Sequence, residues 1–137
     1  IWQARRYCDD DRKRQEYDDR NRWLDEWKKF LSQVDEGDTL VAQGKYAEAV
    51  KKYRLALDTQ EAAADNFSRR NWRIPGKDKV ATKIKDADYA RYKRNGDEAK
   101  AANEWSMALA WYNQAGAVRL TPEIQALIDE CERELSN

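Results

Sequence analysis

The chain has no histidine, only two cysteines, two prolines and five glycines, and no long apolar run among its 137 residues. Without histidine, a His-containing zinc site, a Cys–His nucleophile and a Ser–His–Asp triad are excluded, and the cysteines do not form a C-x-x-C pair. There is no Gly-rich phosphate loop, and no run is apolar enough to cross a bilayer. The sequence therefore predicts no enzymatic activity, no catalytic, cofactor-binding or metal-binding residue, no small-molecule substrate and no membrane span.

Charge and tryptophan are abundant instead. Charged residues form 38% of the chain and balance to zero net charge at pH 7, while six tryptophans are unusual in so polar a sequence. Large rigid rings in such a chain serve as core anchors or interface contacts, because they supply contact area at little entropic cost. The composition predicts one small helical domain with a well-solvated surface.

One pattern of glycine, aromatic and alanine residues occurs twice with identical spacing. In each copy the glycine is followed 9, 12, 16 and 19 residues later by an aromatic residue, an alanine, a tyrosine and an alanine. Small residues let two helix backbones approach while nearby aromatic rings fill the adjacent groove, which predicts a helical hairpin for each copy. The predicted repeat-packing residues are Gly37, Tyr46, Ala49, Tyr53, Ala56, Gly96, Trp105, Ala108, Tyr112 and Ala115.

The first copy, GDTLVAQGKYAEAVKKYRLAL at 37–57, resembles the tetratricopeptide repeat almost position for position. The second copy, at 96–116, is similar but has Asn103 where the turn glycine of the family stands. The resemblance implies an all-α fold in which antiparallel helical hairpins form a short solenoid. It also implies protein–protein interaction and no catalytic residues.

A single domain is predicted because stacked repeats share one continuous core. The glycines of the two copies are 59 residues apart, which exceeds the family's period of ~34 residues and requires an insertion between the repeats. The predicted parts of the 1–137 domain are an N-terminal helical arm (1–29), repeat 1 (30–63), the insertion (64–88), repeat 2 (89–121) and a C-terminal capping helix (122–137).

Local signals indicate where helices begin. Pro75 and Gly76 interrupt the helix that follows repeat 1, and Asp78 is a candidate cap for the next one. Thr121 before Pro122 is typical of a helix start. The last helix then places Ile124, Leu127, Ile128, Cys131 and Leu135 on one stripe that we expect to face the core.

The N-terminal arm contains a mixed-charge run at residues 8–22. This run suits either a solvated helix held by pairs such as Asp10–Arg14 and Glu16–Arg20, or an arm that becomes ordered on a partner. After it, helical spacing returns, and we expect the apolar residues to pack on the first hairpin. These residues are Trp23, Leu24, Trp27, Phe30, Leu31 and Val34.

The middle and the C-terminal end of the chain differ in charge. Residues 67–95 contain ten basic and three acidic side chains, whereas residues 96–137 contain three basic and eight acidic ones. Such complementarity steers association, although ordinary solvated helix faces are an alternative explanation. Basic residues interleaved with Trp72 would also suit nucleic acid, but the zero net charge and the resemblance favour a protein partner. The candidate interface residues are Trp2, Tyr7, Tyr17, Arg69, Arg70, Trp72, Arg73, Lys77, Lys79, Lys83 and Lys85.

Cys8 and Cys131 form a candidate disulfide, within one chain or between two chains; two free thiols are the alternative. The chain begins at Ile1 rather than at methionine, which fits a processed N-terminus and favours a secreted or extracytoplasmic location. The sequence does not otherwise indicate the compartment.

Two functions from different classes follow from these observations. The first is a structural subunit that self-associates into a homo-oligomer or filament through its N-terminal arm and complementary charged ends. The second is an adaptor or scaffold whose concave helix surfaces bind a peptide of another protein. Self-association is favoured because two repeats are fewer than the three or more that stable repeat arrays need.

Overall fold

In the computed structural model five α-helices follow one another along the chain, and the structure describes residues 2–137, with side chains from residue 9 onward. The helices are α1 (Trp2–Ala42), α2 (Tyr46–Asn66), α3 (Lys77–Ala101), α4 (Trp105–Val118) and α5 (Pro122–Ser136). A short 3₁₀ turn, Ser68–Arg70, lies between α2 and α3. No strand occurs between residues 2 and 137, so the predicted all-α class is confirmed.

Each helix packs mainly on its neighbours in the sequence: α1 on α2, α2 on α3, α3 on α4 and α4 on α5. The buried residues form two clusters. The first joins α1, α2 and the start of α3 around Phe30, Tyr53 and Ile74, and the second joins α3, α4 and α5 around Tyr112 and Ile124. The described chain therefore consists of two hairpins followed by one further helix.

The same glycine–tyrosine contact closes both hairpins. A Cβ atom added to Gly37 would lie 2.7 Å from Cδ1 of Tyr53, and one added to Gly96 would lie 2.7 Å from Cδ1 of Tyr112. Both rings are buried, so only glycine lets the first helix of each hairpin approach the second this closely. The two copies of the sequence pattern thus make the same packing contact.

The turns within the two hairpins also match. Gly44 has φ of +75° and Asn103, in the corresponding position, has φ of +59°. This left-handed conformation suits glycine and is tolerated by asparagine, which explains why asparagine can replace the turn glycine in the second copy. The amide of Lys45 donates to the carbonyl of Leu40 at 2.8 Å, and that of Glu104 donates to Ala99 at 2.9 Å.

The starts of α3 and α5 differ in how well the sequence indicates them. Thr121 caps α5, because its Oγ1 accepts a hydrogen bond of 3.1 Å from the amide of Ile124, and Pro122 is the first helical residue. The prediction that Asp78 caps α3 was wrong. Gly76, with φ of +102°, precedes the first helical residue, so Asp78 lies inside the first turn, where its charge complements the helix dipole.

Three leucines that we expected in the core face solvent instead. Leu24 and Leu31 of α1 are 37% and 50% exposed, and Leu135 near the end of α5 is 47% exposed. The rest of the α5 stripe is buried or half-buried. The exposure of Leu24 and Leu31 leaves two apolar side chains on an accessible face of α1, where a partner can contact them.

A tyrosine–aspartate hydrogen bond ties the two helices of each hairpin. The hydroxyl of Tyr53 donates to Asp38 Oδ1, and that of Tyr112 donates to Asp97 Oδ1, both at 2.6 Å. Asp38 also accepts a hydrogen bond of 2.9 Å from Lys83 Nζ on α3. Burial and the neighbouring carboxylate raise the pKa of both tyrosines, whereas the hydrogen bonds from Tyr53 and Lys83 outweigh burial and hold the pKa of Asp38 below its ordinary value.

These raised tyrosine pKa values predict a loss of stability at alkaline pH. A tyrosine ionises near pH 10 when unfolded, so its stabilising contribution is intact below pH 10 and falls as the pH rises towards its folded pKa. At about pH 10.5 we expect Tyr53 and Tyr112 each to have lost roughly 1 kcal/mol. Urea unfolding at neutral pH and at pH of about 10.5 measures this loss in the free energy of unfolding. The loss should be smaller in the double variant Tyr53→Phe/Tyr112→Phe. An equal loss in that variant would contradict the role given to the two tyrosines.

Candidate functional site

The first helix extends well beyond the body of the protein. With 41 residues against 21, α1 is about 62 Å long and α2 about 32 Å. All described residues from 9 to 18 are exposed, so this part of α1 is not covered by the rest of the described chain. A helix of this kind is available to a partner over several turns.

Short-range side-chain pairs hold the charged part of α1 in a helix. Arg20 pairs with Glu16 at 3.4 Å, as expected, while Arg12 pairs with Asp9 at 3.1 Å. Gln15 Nε2 donates to Asp19 Oδ1 at 2.9 Å. These pairs at i, i+3 and i, i+4 stabilise a solvated helix without burying a core.

Asp19 marks the point where α1 meets the rest of the molecule. Its carboxylate accepts hydrogen bonds from Arg22 on the same helix and from Arg70 Nη2, at 3.1 Å, in the 3₁₀ turn. Hydrogen bonds from Arg22, Gln15 and Arg70 lower the pKa of Asp19 despite some desolvation. The 51-residue sequence separation of Asp19 and Arg70 makes this a tertiary contact that fixes the direction of α1.

An aromatic cluster secures the same junction. The ring of Trp23 lies 5.1 Å from that of Trp27 and 5.7 Å from that of Trp72, and Trp72 lies 6.2 Å from Phe67. The guanidinium of Arg70 lies 5.7 Å above the Trp72 ring. Three of the six tryptophans therefore anchor α1 to the segment between α2 and α3, so the exposed part of the helix starts from a rigid base.

A regular apolar stripe lies on the exposed face of α1. Tyr17, Leu24 and Leu31 recur every seven residues and are 66%, 37% and 50% exposed. We call these three residues the α1 stripe. Their side chains point to nearly the same side of the helix, because seven residues complete almost two turns.

The predicted interface residues fall into three groups. Trp72, Arg70 and Lys83 make contacts within the chain: Trp72 with Trp23, Arg70 with Asp19, and Lys83 with Asp38. The exposed members are Tyr17, Arg69, Arg73, Lys77, Lys79 and Lys85. Trp2 and Tyr7, whose side chains lie outside the described residues, keep their predicted role as a hypothesis. The aromatic part of the predicted basic patch is therefore mostly internal, and Tyr17 is the exposed aromatic residue among the described candidates.

The basic residues at the start of α3 face acidic residues of α2 across an open cleft. The cleft between α2 and the 73–79 segment is lined on one side by Asp58, Glu61 and Asp65 and on the other by Arg73, Lys77 and Lys79, with Asp78 as the one acidic residue of that wall. Opposite charges on the two walls reduce the field that the basic side chains present to solvent. This arrangement disfavours the phosphate backbone of a nucleic acid, which needs an uncompensated basic surface.

The acidic end of the chain is partly neutralised as well. Glu130 of α5 pairs with Lys100 at 2.8 Å, and Glu123 pairs with Lys93 at 3.4 Å. Both lysines belong to α3, so these ion pairs attach α5 to the second hairpin. The outward face of α5 keeps Asp129, Glu132 and Glu134 exposed.

Cys131 is buried in the second cluster and forms no disulfide within residues 9–137, and burial raises the pKa of its thiol. A buried thiol with a raised pKa reacts slowly, because the thiolate is the reactive form. Cys8 lies outside the described side chains, so its pairing with Cys131 stays a prediction. Residues 9–137 contain no group of three or more acidic, histidine or cysteine side chains placed to hold a metal ion.

None of the described helices is both long and apolar enough to cross a membrane. Searches against protein-family models, curated proteins and solved structures find no match to this chain. Membership of the tetratricopeptide-repeat family therefore stays a prediction from the sequence pattern. The function has to be argued from the geometry of the chain itself.

Proposed function

We propose that this protein is a non-catalytic, tetratricopeptide-like structural subunit that associates with copies of itself through its first helix. The observation that carries the proposal is the combination of length and surface in α1. The helix extends far beyond the hairpin that anchors it, and Tyr17, Leu24 and Leu31 are exposed along it at regular spacing. Apolar side chains in a regular row on a rigid helix are typical of a helix-packing surface.

The two hairpins act as the rigid body of this subunit. The glycine–tyrosine contacts, the tyrosine–aspartate hydrogen bonds and the tryptophan cluster fix the helices relative to one another. A rigid base lets a partner bind α1 without first paying the entropy of ordering it. The charged side chains that stay exposed, such as Lys85 on α3 and Glu134 on α5, would add a modest salt dependence to the association of copies.

A peptide-binding adaptor is the alternative function. Several charged side chains on α1 and α3 already form ion pairs within the chain: Asp38 with Lys83, Asp97 with Lys93, and Lys100 with Glu130. A peptide that binds to this surface would have to break these ion pairs, or bind without the charged side chains that form them. This observation weighs against the adaptor and in favour of self-association.

The mass in solution distinguishes the two functions. Light scattering over a range from low to high micromolar protein, in low and in high salt, should give a mass that rises above the 16.1 kDa of one chain as concentration increases. Negative-stain images would then separate closed particles from filaments. A mass of one chain at every concentration in low salt would contradict self-association and leave the adaptor.

A further inference from the structure

We infer that two copies of this chain pair through their α1 helices in an antiparallel, two-fold arrangement with Leu24 at its centre. The inference rests on the proposed self-association and names the surface and the geometry that would carry it. Its basis is the α1 stripe together with the two charged residues that continue the stripe at its ends.

Five residues of α1 share one narrow face. Lys13 precedes Tyr17 by four residues, and Asp35 follows Leu31 by four, so all five side chains point within an arc of about 40°. Within residues 9–137, Lys13 and Asp35 form no ion pair, and both are exposed. The face therefore reads, from its N-terminal end, as one basic residue, three apolar residues and one acidic residue.

The shape of this face favours a helix as the partner. The apolar part runs for about 21 Å along the axis, from Tyr17 to Leu31, and has the width of a single side chain. A seven-residue repeat stays in contact with a second helix that crosses at about 20°. A short loop would contact one or two of the three apolar residues and leave the others in water.

The charges favour a second copy of α1 in the antiparallel direction. With Leu24 on the two-fold axis, Tyr17 of one copy lies over Leu31 of the other, and Lys13 lies beside Asp35 at both ends. In a parallel pair Lys13 would meet Lys13, and Asp35 would meet Asp35, which is unfavourable. The antiparallel pair thus matches its apolar and its charged positions at the same time.

The remaining basic residues on this side of α1 do not oppose the pairing. Arg20 and Lys28 lie on opposite margins of the stripe, and in an antiparallel pair each margin lies against the same margin of the other copy. Arg20 is in addition neutralised by Glu16 at 3.4 Å. The contact is isologous and closes on itself, so it produces a dimer, and a filament would need a second surface.

Exposed leucines elsewhere in the chain provide a matched control. Leu55 on α2 is 46% exposed, a value between those of Leu24 at 37% and Leu31 at 50%. Leu24→Glu would place two carboxylates next to each other at the two-fold axis, whereas Leu55→Glu changes an apolar surface residue outside the proposed contact. Because both leucines are on the surface of helices, both variants should keep the fold, which circular dichroism would verify.

Sedimentation equilibrium of the full chain and these variants tests the pairing. We expect the wild type and Leu55→Glu to dimerise with similar affinity and Leu24→Glu to weaken dimerisation by at least about tenfold. Dimers of equal affinity in Leu24→Glu would overturn the inference while self-association stood. A wild type that is a monomer throughout would overturn both, and an assembly larger than a dimer that Leu24→Glu leaves intact would place the contact on another surface.

A charge swap tests the direction of the helices independently of the apolar contacts. Lys13→Glu and Asp35→Lys should each weaken dimerisation by roughly fivefold, and the double variant should restore it because the pair is re-formed with opposite sign. Additive weakening in the double variant would rule out the antiparallel register. Loss in both single variants and recovery of the wild-type affinity in the double variant would exclude a parallel pair, because positions 13 and 35 do not meet in it.

Discussion

Replacing Gly96 with alanine should lower the free energy of unfolding by about 3 kcal/mol, against the usual effect of this substitution in a helix. Alanine normally stabilises a helix interior by up to about 1 kcal/mol relative to glycine. Here the new Cβ would lie 2.6 Å from Cε1 of Tyr112, whose ring is fully buried and whose hydroxyl is bound to Asp97. The ring has no space to withdraw, so steric overlap outweighs the gain in helix propensity.

Gly116→Ala is the control for this experiment. Gly116 also lies in a helix, but a Cβ there would meet its nearest neighbours at 3.4 to 3.6 Å, which is ordinary contact. Urea unfolding should therefore show no loss, or a small gain, for Gly116→Ala. Gly37→Ala should behave like Gly96→Ala, since Gly37 makes the corresponding contact with Tyr53. Equal effects at positions 96 and 116 would contradict the packing described for the hairpins.

Replacing Trp72 with alanine should cost about 3 kcal/mol and loosen the base of α1. Trp72 bridges Trp23 on α1 and Phe67 at the end of α2, and it carries the guanidinium of Arg70 above its ring. Removing the indole leaves a cavity at the junction and frees Arg70 from one of its two contacts. Hydrogen exchange should therefore accelerate first in the 67–76 segment and in the facing turns of α1.

Tyr17→Ala is the matched variant for Trp72→Ala. Tyr17 is an aromatic residue that is 66% exposed, so its removal should change the stability of the single chain by less than about 0.5 kcal/mol. The comparison requires low protein concentration, because Tyr17 belongs to the proposed dimer contact. A loss below about 1 kcal/mol for Trp72→Ala would mean that the cluster does not hold α1 in place.

Periodicity was sufficient to predict that the chain is all-α and where each hairpin turns. The spacing of glycine, aromatic and alanine residues indicates the helices of each hairpin and the turn between them, and the Thr121–Pro122 pair indicates the start of α5. These features depend on residues close in sequence. The start of α3 was less predictable, because Gly76 takes the position before the first helical residue and leaves Asp78 without the capping role.

The side of α1 that is buried could not be predicted from the same periodicity. Trp23, Trp27 and Phe30 define one face, and Leu24 and Leu31 lie about 100° further round the helix. Whether a second face is covered depends on where α2 and α3 lie, which no spacing within α1 determines. The spacing alone therefore predicted Leu24 and Leu31 as core residues, whereas both are exposed in the structure.

The sequence carries a signal for the tyrosine–aspartate hydrogen bonds. An aspartate follows the glycine in both copies, as Asp38 and Asp97, and both lie 15 residues before the tyrosine that they bind. Identical polar residues at identical places in two copies indicate a shared contact. The Trp23–Trp72 contact, in contrast, joins residues far apart in sequence and has no counterpart in the second copy.

Disulfide trapping at position 24 tests the central claim most directly. In a Cys8→Ser background, where the buried Cys131 is the remaining native thiol, Leu24→Cys should form a covalent dimer under mild oxidation, because the two-fold axis brings both copies of position 24 together. Asp25→Cys, about 100° away on α1, and Leu55→Cys on α2 should stay largely monomeric. Equal cross-linking at positions 24, 25 and 55, or none at position 24, would contradict association through this face of α1.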